Sequence, residues 1–317
     1  MKALVIEDRG VLLRDVPVPE PNGECLIRVR LAGICGTDLQ LLEGYADFRG
    51  IPGHEFVGVV ERTPAADSQW IGKRVVGEIN VGCGSCEFCA EGAKEHCRRR
   101  TVVGIREHDG AFADYLTLPA CNLHEIPAPM DDETAVFVEP VAAACRILEQ
   151  VAVDRDTRVA VLGDGRLGLL IAQVLRTAAP DVVVVGRHER KLKVARSLGL
   201  AVSEAPERTY FDLVVDATGR PEGLRHALEL VRPRGTIVMK STFHGETPLT
   251  SWPIVVNEVT IVGSRCGPFR RAISMLASGA IEVKPLVTRV AMLEDYADAF
   301  ATARRGLKVL LSPGPIS

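Results

Sequence analysis

The stretch RVAVLGDGRLGLLIAQVL, residues 158–175, runs from an apolar, β-branched segment through a G-x-G-x-x-G loop into a helical pattern. Its three glycines would allow a tight turn and a close approach of a pyrophosphate to the start of the helix. A second β-branched segment, PDVVVVGR, follows the helical pattern, as in a βαβ unit. Glycine-rich turns are common on their own, but this context predicts a dinucleotide site. The predicted cofactor contacts in the loop are Gly163, Gly165, Arg166, Leu167 and Gly168.

The end of the second β-branched segment bears on the choice of cofactor. It reads Gly186, Arg187, His188, where an enzyme that prefers NAD usually places an Asp or Glu on the ribose 2′-hydroxyl. This strand end has no carboxylate, so nothing there repels a 2′-phosphate. Arg187 can donate charge-assisted hydrogen bonds to that phosphate, and we therefore expect these three residues to bind NADP in preference to NAD. Two alternatives stay open: Arg187 could be an exposed loop residue, and Glu189 could turn back toward a ribose.

Strand-like and helical segments alternate from residue 157 onward. The strand-like runs are apolar throughout, which indicates a parallel sheet covered on both faces. Residues 1–125 instead contain short strands separated by glycine, proline and acidic turns, a pattern typical of an antiparallel, barrel-like unit. A chain of 317 residues exceeds the usual size of one hydrophobic core, so we expect an α/β protein of two domains.

Composition and charge exclude several classes of function. The net charge is -3 and basic residues do not cluster, which argues against a nucleic-acid partner. The N-terminal segment lacks the apolar core of a secretory signal, and no apolar run approaches the roughly 20 residues of a membrane span. We therefore expect no membrane association and a cytoplasmic protein. In that compartment closely spaced cysteines are metal ligands or redox catalysts more often than disulfides.

Four of the nine cysteines fall in the segment CGSCEFCAEGAKEHC, residues 83–97. Four thiolates on a turn-rich stretch can close a tetrahedral shell around zinc, which leaves no open position for a substrate. A redox centre would need a single C-x-x-C at the start of a helix in a thioredoxin-like context, and this region is β-rich instead. The segment therefore predicts a lobe with a structural zinc bound by Cys83, Cys86, Cys89 and Cys97.

A second, sparser set consists of Cys35 in LAGICGTD, His54 and Glu55 in IPGHEFVG, and Glu139 in FVEPVAAA. Each has an ordinary structural interpretation when it is taken singly. Cys35 could be a small buried hydrophobe, His54 a core histidine, and Glu139 a carboxylate at the start of a helix.

Together with the glycine loop and the cysteine lobe, this ordered set resembles the zinc-containing medium-chain dehydrogenases, which include alcohol, sorbitol, threonine and glucose dehydrogenases. The motifs C-G-T-D, G-H-E-x-x-G, C-x2-C-x2-C-x7-C, E-P and G-x-G-x-x-G appear in this order over essentially the whole chain. The resemblance implies a GroES-like β-barrel catalytic domain over residues 1–145, completed by 268–317. It also implies a Rossmann domain with a doubly wound parallel sheet over residues 146–267.

The resemblance also implies a catalytic zinc. Cys35 and His54 match its ligands, Glu55 matches a carboxylate that binds or approaches the metal, and Glu139 matches the position of a third protein ligand. Which of the two glutamates is the persistent ligand stays open. Asp38 matches the carboxylate that orients the histidine ligand, as outer-shell partners of metal sites do.

Further roles follow from the same resemblance. Thr37 matches the hydroxyl that contacts the substrate oxygen. Lys308 matches a basic residue that meets the cofactor phosphates, and a surface lysine is an equally good interpretation. Gln40 stands where many members have a proton-relay histidine, and an amide cannot act as a general base. The proton would then leave through a water, a ribose hydroxyl or Glu55.

The resemblance therefore implies two zinc ions per subunit, one catalytic and one structural, and hydride transfer between an alcohol and NADP or NAD. The E-P motif favours a polyol, a sugar-derived or a secondary alcohol, with the matching carbonyl compound in reverse. Pairing of Rossmann edge strands in relatives implies a homodimer, with a homotetramer as the alternative. Two other functions stay open: a zinc-dependent hydrolase or lyase, and a non-catalytic, cofactor-sensing member of the same fold.

Overall fold

The computed structural model describes residues 1–7, 10–205, 210–242, 246–247 and 249–314. Its contacts divide the chain into two compact units. The first unit comprises Met1–Glu139 and Val287–Ser317, and the second unit comprises Pro140–Leu286.

The regular elements follow one another along the chain. The strands are β1 (Lys2–Glu7), β2 (Gly10–Asp15), β3 (Cys25–Gly33), β4 (Glu55–Arg62), β5 (Arg74–Gly77), β6 (Asn80–Val81), β7 (Thr101–Val102), β8 (Tyr115–Leu118), β9 (Leu123–Glu125), β10 (Val159–Leu162), β11 (Val182–Val185), β12 (Ala201–Ser203), β13 (Phe211–Asp216), β14 (Val231–Met239), β15 (Thr260–Gly263), β16 (Val287–Met292) and β17 (Lys308–Ser312). The α-helices are α1 (Gly36–Leu41), α2 (Glu87–Ala90), α3 (Asp132–Ala135), α4 (Val138–Cys145), α5 (Ile147–Gln150), α6 (Arg166–Arg176), α7 (Glu189–Ser197), α8 (Gly223–Leu230), α9 (Trp252–Val256), α10 (Phe269–Ala277) and α11 (Tyr296–Ala303). Short 3-10 turns occupy Tyr45–Asp47, Ala65–Trp70, Lys94–His96, Ala120–Asn122, Lys284–Leu286 and Leu293–Asp295.

The first unit is built around β3, which pairs antiparallel with β4, β8 and β17. The main strand order is β16-β17-β3-β4-β5-β9, with β8 joined to β3 off this path. Nearly all of β3 is buried except Arg28 and Arg30, which form ion pairs with Glu61 and Asp132. The expected β-rich, GroES-like unit is confirmed. Because β17 comes from the end of the chain, the C-terminal strands complete this sheet.

The second unit contains a six-stranded parallel sheet in the order β12-β11-β10-β13-β14-β15. All residues of the central strand β10 are buried, which explains its continuous apolar sequence. The order reverses direction at β10, and ligands of such sheets bind at the carboxyl ends of the strands next to this switch point. The predicted doubly wound parallel sheet is confirmed.

Within the described residues, the helices are too short or too polar to cross a membrane.

Candidate functional site

The structure brings three residues of the sparse set together in the first unit. One ligand atom each of Cys35, His54 and Glu55 lies within 4.8 Å of the other two. Gly33, at the end of β3, pairs with Glu55, at the start of β4. Cys35 therefore follows β3 and His54 precedes β4 at the same end of this antiparallel strand pair. His54 and Glu55 are buried, and Cys35 is partly exposed.

Asp38 supports this cluster from the first turn of α1. Its Oδ2 accepts a hydrogen bond from the main-chain N–H of Cys35 at 2.6 Å, and its Oδ1 lies 3.3 Å from Nδ1 of His54. Burial lowers the pKa of His54, but the charges of Asp38 and Cys35 outweigh it and raise that pKa well above the usual value. Asp38 therefore faces a ring nitrogen of His54, where a carboxylate can orient the imidazole.

The donor set of the cluster fits a zinc ion. It offers a thiolate, an imidazole and a carboxylate, and catalytic zinc sites combine three protein ligands of these kinds with an open position. Nδ1 of His54 and Oδ1 of Asp38 are both buried without a well-aligned hydrogen bond. Buried polar atoms usually have a hydrogen-bond partner. If the other ring nitrogen of His54 bound a metal, Nδ1 would carry the proton and could donate it to Oδ1 of Asp38.

Lys308 is buried beside the metal cluster. Its side chain is fully buried in β17, and its ammonium forms an ion pair with Glu55 and lies 5.4 Å from the ring centroid of Phe137. A Cβ atom on Gly33 would lie 2.6 Å from Glu55 Oε2, so only glycine leaves room for this pair. The ammonium has no exposed surface in this arrangement, and the expected contact with cofactor phosphates stays a prediction. The surface-lysine interpretation is wrong.

Three other predicted residues lie near or beyond this cluster. The Thr37 hydroxyl is 4.0 Å from the Cys35 sulfur, in the first turn of α1, and Gln40 follows on the same helix. Glu139, in the first turn of α4, is partly buried but does not belong to the cluster found among the described residues. Its role as a third ligand stays a prediction.

The four cysteines of the lobe also come together, with their sulfur atoms within 4.8 Å of one another. Gly84 and Gly92 have positive φ angles of 72° and 76°, which permit the tight turns between the cysteines. Arg99 donates a hydrogen bond to the Cys83 sulfur at 3.2 Å. Hydrogen bonds from Ser85 lower the pKa of Cys83 to about 5, so this residue favours the thiolate that zinc binds.

A partly buried polar network attaches this lobe to the sheet. Lys94 Nζ lies 2.9 Å from Glu78 Oε2 and donates to Asn122 Oδ1 at 3.0 Å, and His124 Nε2 lies 2.7 Å from Glu78 Oε1. Burial raises the pKa of Glu78, but the hydrogen bonds from His124 and Lys94 outweigh it and lower that pKa. The lobe is therefore fixed by a charged pair that sequence reasoning did not find.

In the second unit, the glycine loop forms one wall of a pocket of about 500 Å³. Gly163 has a φ of +117°, and a Cβ atom on Gly168 would lie 2.0 Å from the Gly163 carbonyl oxygen, so both positions require glycine. Five of the predicted contacts line the pocket: Gly163, Gly165, Gly186, Arg187 and His188. Three do not line it: Arg166, Leu167 and Gly168.

The pocket also contains residues that the sequence did not single out. Asp164, Lys191 and Arg220 line it together with the predicted residues. Glu189 does not line it, and its carboxylate pairs with Arg196 along α7 at 2.9 Å. The alternative in which Glu189 turns back toward a ribose therefore finds no support in this arrangement.

Comparison with known proteins agrees with this geometry. Residues 21–128 match the family model "Alcohol dehydrogenase GroES-like domain", and residues 167–278 match "Zinc-binding dehydrogenase". An L-threonine 3-dehydrogenase of Streptomyces avermitilis is 35% identical over 98% of this chain and 99% of its own length. Among solved structures, an alcohol dehydrogenase of Escherichia coli CFT073 complexed with NADH has a TM-score of 0.91 and 29% identity, over 98% of this chain and 99% of that one. A zinc-binding dehydrogenase of Sinorhizobium meliloti 1021 bound to NADP has a TM-score of 0.90 and 30% identity, with the same coverage.

Lys308→Met is expected to lower the free energy of unfolding by about 3–5 kcal/mol, because it leaves the buried Glu55 carboxylate without its counter-charge. The double variant Glu55→Gln/Lys308→Met removes both charges and should recover at least half of that loss. Urea unfolding, with zinc at the same concentration for every variant, measures both values. A double variant no more stable than Lys308→Met would show that the pairing does not govern stability here.

Proposed function

Because the chain belongs to the zinc-containing medium-chain dehydrogenase family, we propose that it interconverts a secondary alcohol, polyol or sugar-derived alcohol and the matching carbonyl compound, with NADP favoured over NAD. The protein is a zinc-dependent oxidoreductase of the alcohol and polyol class that uses NAD(P). The hydrolase, lyase and non-catalytic alternatives are not favoured, because the relatives are dehydrogenases. The proposal rests on the position of one ligand atom each of Cys35, His54 and Glu55, which lie within 4.8 Å of one another.

Cys35 and His54 would hold the catalytic zinc, with a glutamate as the third protein ligand. Zinc bound there would act as a Lewis acid that lowers the pKa of the alcohol, while the nicotinamide supplies the redox chemistry. Glu55 is already paired with Lys308, which supports a carboxylate that approaches the metal rather than one that binds it permanently. Glu139 is the other candidate for the persistent ligand, although it lies outside the cluster found among the described residues. The four cysteines of the lobe would hold the structural zinc.

The protein side chains would handle the substrate proton. The Thr37 hydroxyl, next to the Cys35 sulfur, is placed to accept a hydrogen bond from the substrate hydroxyl and to orient its oxygen. Asp38 holds the Cys35 main chain and faces the His54 ring, so it fixes two ligands at once. Gln40 provides no titratable group, and the proton would leave through water, a ribose hydroxyl or Glu55.

The preference for NADP rests on the strand end at Gly186 and Arg187. Arg187 lines the pocket and can offer its guanidinium to a 2′-phosphate. Relatives with similar structures hold NADH in one case and NADP in another, so the family accommodates both cofactors. The residues of this chain, rather than the family, therefore decide the preference.

We also propose that the protein is a cytoplasmic homodimer, with a homotetramer as the larger alternative. Strand β15 lies at the edge of the parallel sheet, where its free hydrogen-bonding groups can pair with another strand. Helix α9, which precedes it, exposes Trp252, Val255 and Val256 at 63%, 75% and 68%. Such a concentration of exposed apolar side chains is typical of an interaction surface. The nine free cysteines support a reducing compartment.

Wild-type protein loaded with zinc should reduce the nicotinamide with at least one member of a panel of secondary alcohols and polyols. Thr37→Val should lower kcat roughly 100-fold without changing the KM for the cofactor, because only the hydrogen bond to the substrate oxygen is removed. Thr117→Val, a partly buried threonine on β8, is the matched control and should keep full activity. Absence of turnover with every substrate, in protein that contains zinc and binds cofactor, would contradict the proposal.

Val255→Asp should convert the dimer into monomers, because it places a charge in the exposed apolar surface of α9. Light scattering coupled to size-exclusion chromatography gives the mass. Ile71→Asp, at an exposed apolar residue of the first unit, is the control and should leave the mass unchanged. A Val255→Asp protein with the wild-type mass would rule out this surface as the dimer contact.

A further inference from the structure

Asp164, the second residue of the glycine loop, ties that loop to the end of β11. Its Oδ2 accepts hydrogen bonds from the main-chain N–H groups of Arg187 at 2.9 Å and His188 at 2.7 Å. The His188 ring nitrogen Nδ1 lies 2.9 Å from the other carboxylate oxygen. Burial raises the pKa of Asp164, but the hydrogen bonds from His188 and Arg187 outweigh it and lower that pKa. The carboxylate is therefore ionised, accepts two main-chain hydrogen bonds and faces the His188 ring nitrogen.

The carboxylate also occupies the space where a strand-end acid would lie. A Cβ atom on Gly186 would lie 2.5 Å from Cβ of Asp164 and 2.7 Å from its Oδ2. Contacts below 3.0 Å would force one of the two side chains to move. A side chain at position 186 and the present position of Asp164 therefore exclude each other. The Asp164 carboxylate is directed instead at the main-chain N–H groups of Arg187 and His188, and not at the pocket as a strand-end acid would be.

Three cations line the pocket beside this carboxylate: Arg187, Lys191 and Arg220. None of the three forms an ion pair within the part of the chain that the structure describes. Burial lowers the pKa of Lys191, the positive charges of Arg166 and Arg220 lower it further, and the charge of Asp164 opposes them. Lys191 and Arg220 repel each other, and Asp164 offsets only part of this positive charge. Glu204 and Glu222 also line the pocket.

We infer that Asp164 is a positioning residue for cofactor specificity: by fixing the main chain at Arg187 and His188, it holds Arg187 beside Lys191 and Arg220 as a site for the 2′-phosphate of an adenine nucleotide. The inference rests on the proposed function, since it concerns the same cofactor. The hydrogen bonds that the Asp164 carboxylate already accepts leave it little capacity to accept one more from a ribose hydroxyl. Two guanidinium groups and an ammonium provide the charge-assisted hydrogen bonds that a phosphate dianion selects.

The test measures dissociation constants of NADPH and NADH by fluorescence titration, without any alcohol substrate. Asp164→Ala should weaken NADPH binding at least 10-fold and NADH binding less than threefold. Asp164→Asn keeps an oxygen that can accept from the two main-chain N–H groups, so its NADPH affinity should stay within threefold of wild type. Lys191→Ala should weaken NADPH alone about 10-fold. Lys193→Ala, an exposed residue of the same helix outside the pocket lining, is the control and should change neither constant.

Four results would overturn the inference while the dehydrogenase function stands. An equal loss for both cofactors in Asp164→Ala would show that the carboxylate only holds the loop. A larger loss for NADH, or a wild type that prefers NADH, would show that Asp164 itself binds the ribose. Lys191→Ala decides the matter if Asp164→Ala does not fold, since unchanged NADPH affinity there also overturns the inference. A wild type that binds neither cofactor would overturn the proposed function itself.

Discussion

The antiparallel pairing of β3 with β4 is the constraint on which the metal cluster depends. The register that sets Gly33 opposite Glu55 places Cys35 just beyond one strand and His54 just before the other. Strand β17 pairs with the same β3 and brings Lys308 to the Glu55 carboxylate. A buried carboxylate without a counter-charge would be strongly destabilising, so the sheet that assembles the cluster also neutralises it.

The second unit achieves a comparable arrangement with backbone amides. The glycine loop follows β10. The carboxylate of Asp164 in this loop accepts hydrogen bonds from the main chain that follows β11, the neighbouring parallel strand. One buried carboxylate thereby links the two chain segments that form the pocket wall. In each unit an acidic residue connects different strands: Glu55 of β4 pairs with Lys308 of β17, and Asp164, after β10, binds the backbone of Arg187 after β11.

The sequence was sufficient for the fold and for the residues with a fixed spacing. Strand and helix periods predicted the parallel sheet, and ordered motifs predicted residues that the structure brings together in the two cysteine-containing clusters and in the glycine loop. Lys308 and Asp164 were beyond that reasoning, since the partners of each are set by strand pairing rather than by spacing. The continuous apolar run that surrounds Lys308 in β17 was a usable signal of burial. Asp164 occupies a variable position of the G-x-G pattern, which carries no such signal.

We propose that Cys35 and His54, and not the conspicuous cysteine lobe, bind the reacting metal. An anomalous difference map from crystals of the native protein, measured at the zinc absorption edge, tests it directly. We predict two peaks per subunit. One should lie about 2.3 Å from the Cys35 sulfur and about 2.0 Å from a ring nitrogen of His54, and the other should lie among the four cysteines of the lobe. A map of zinc-replete protein with a peak at the lobe alone would contradict the account.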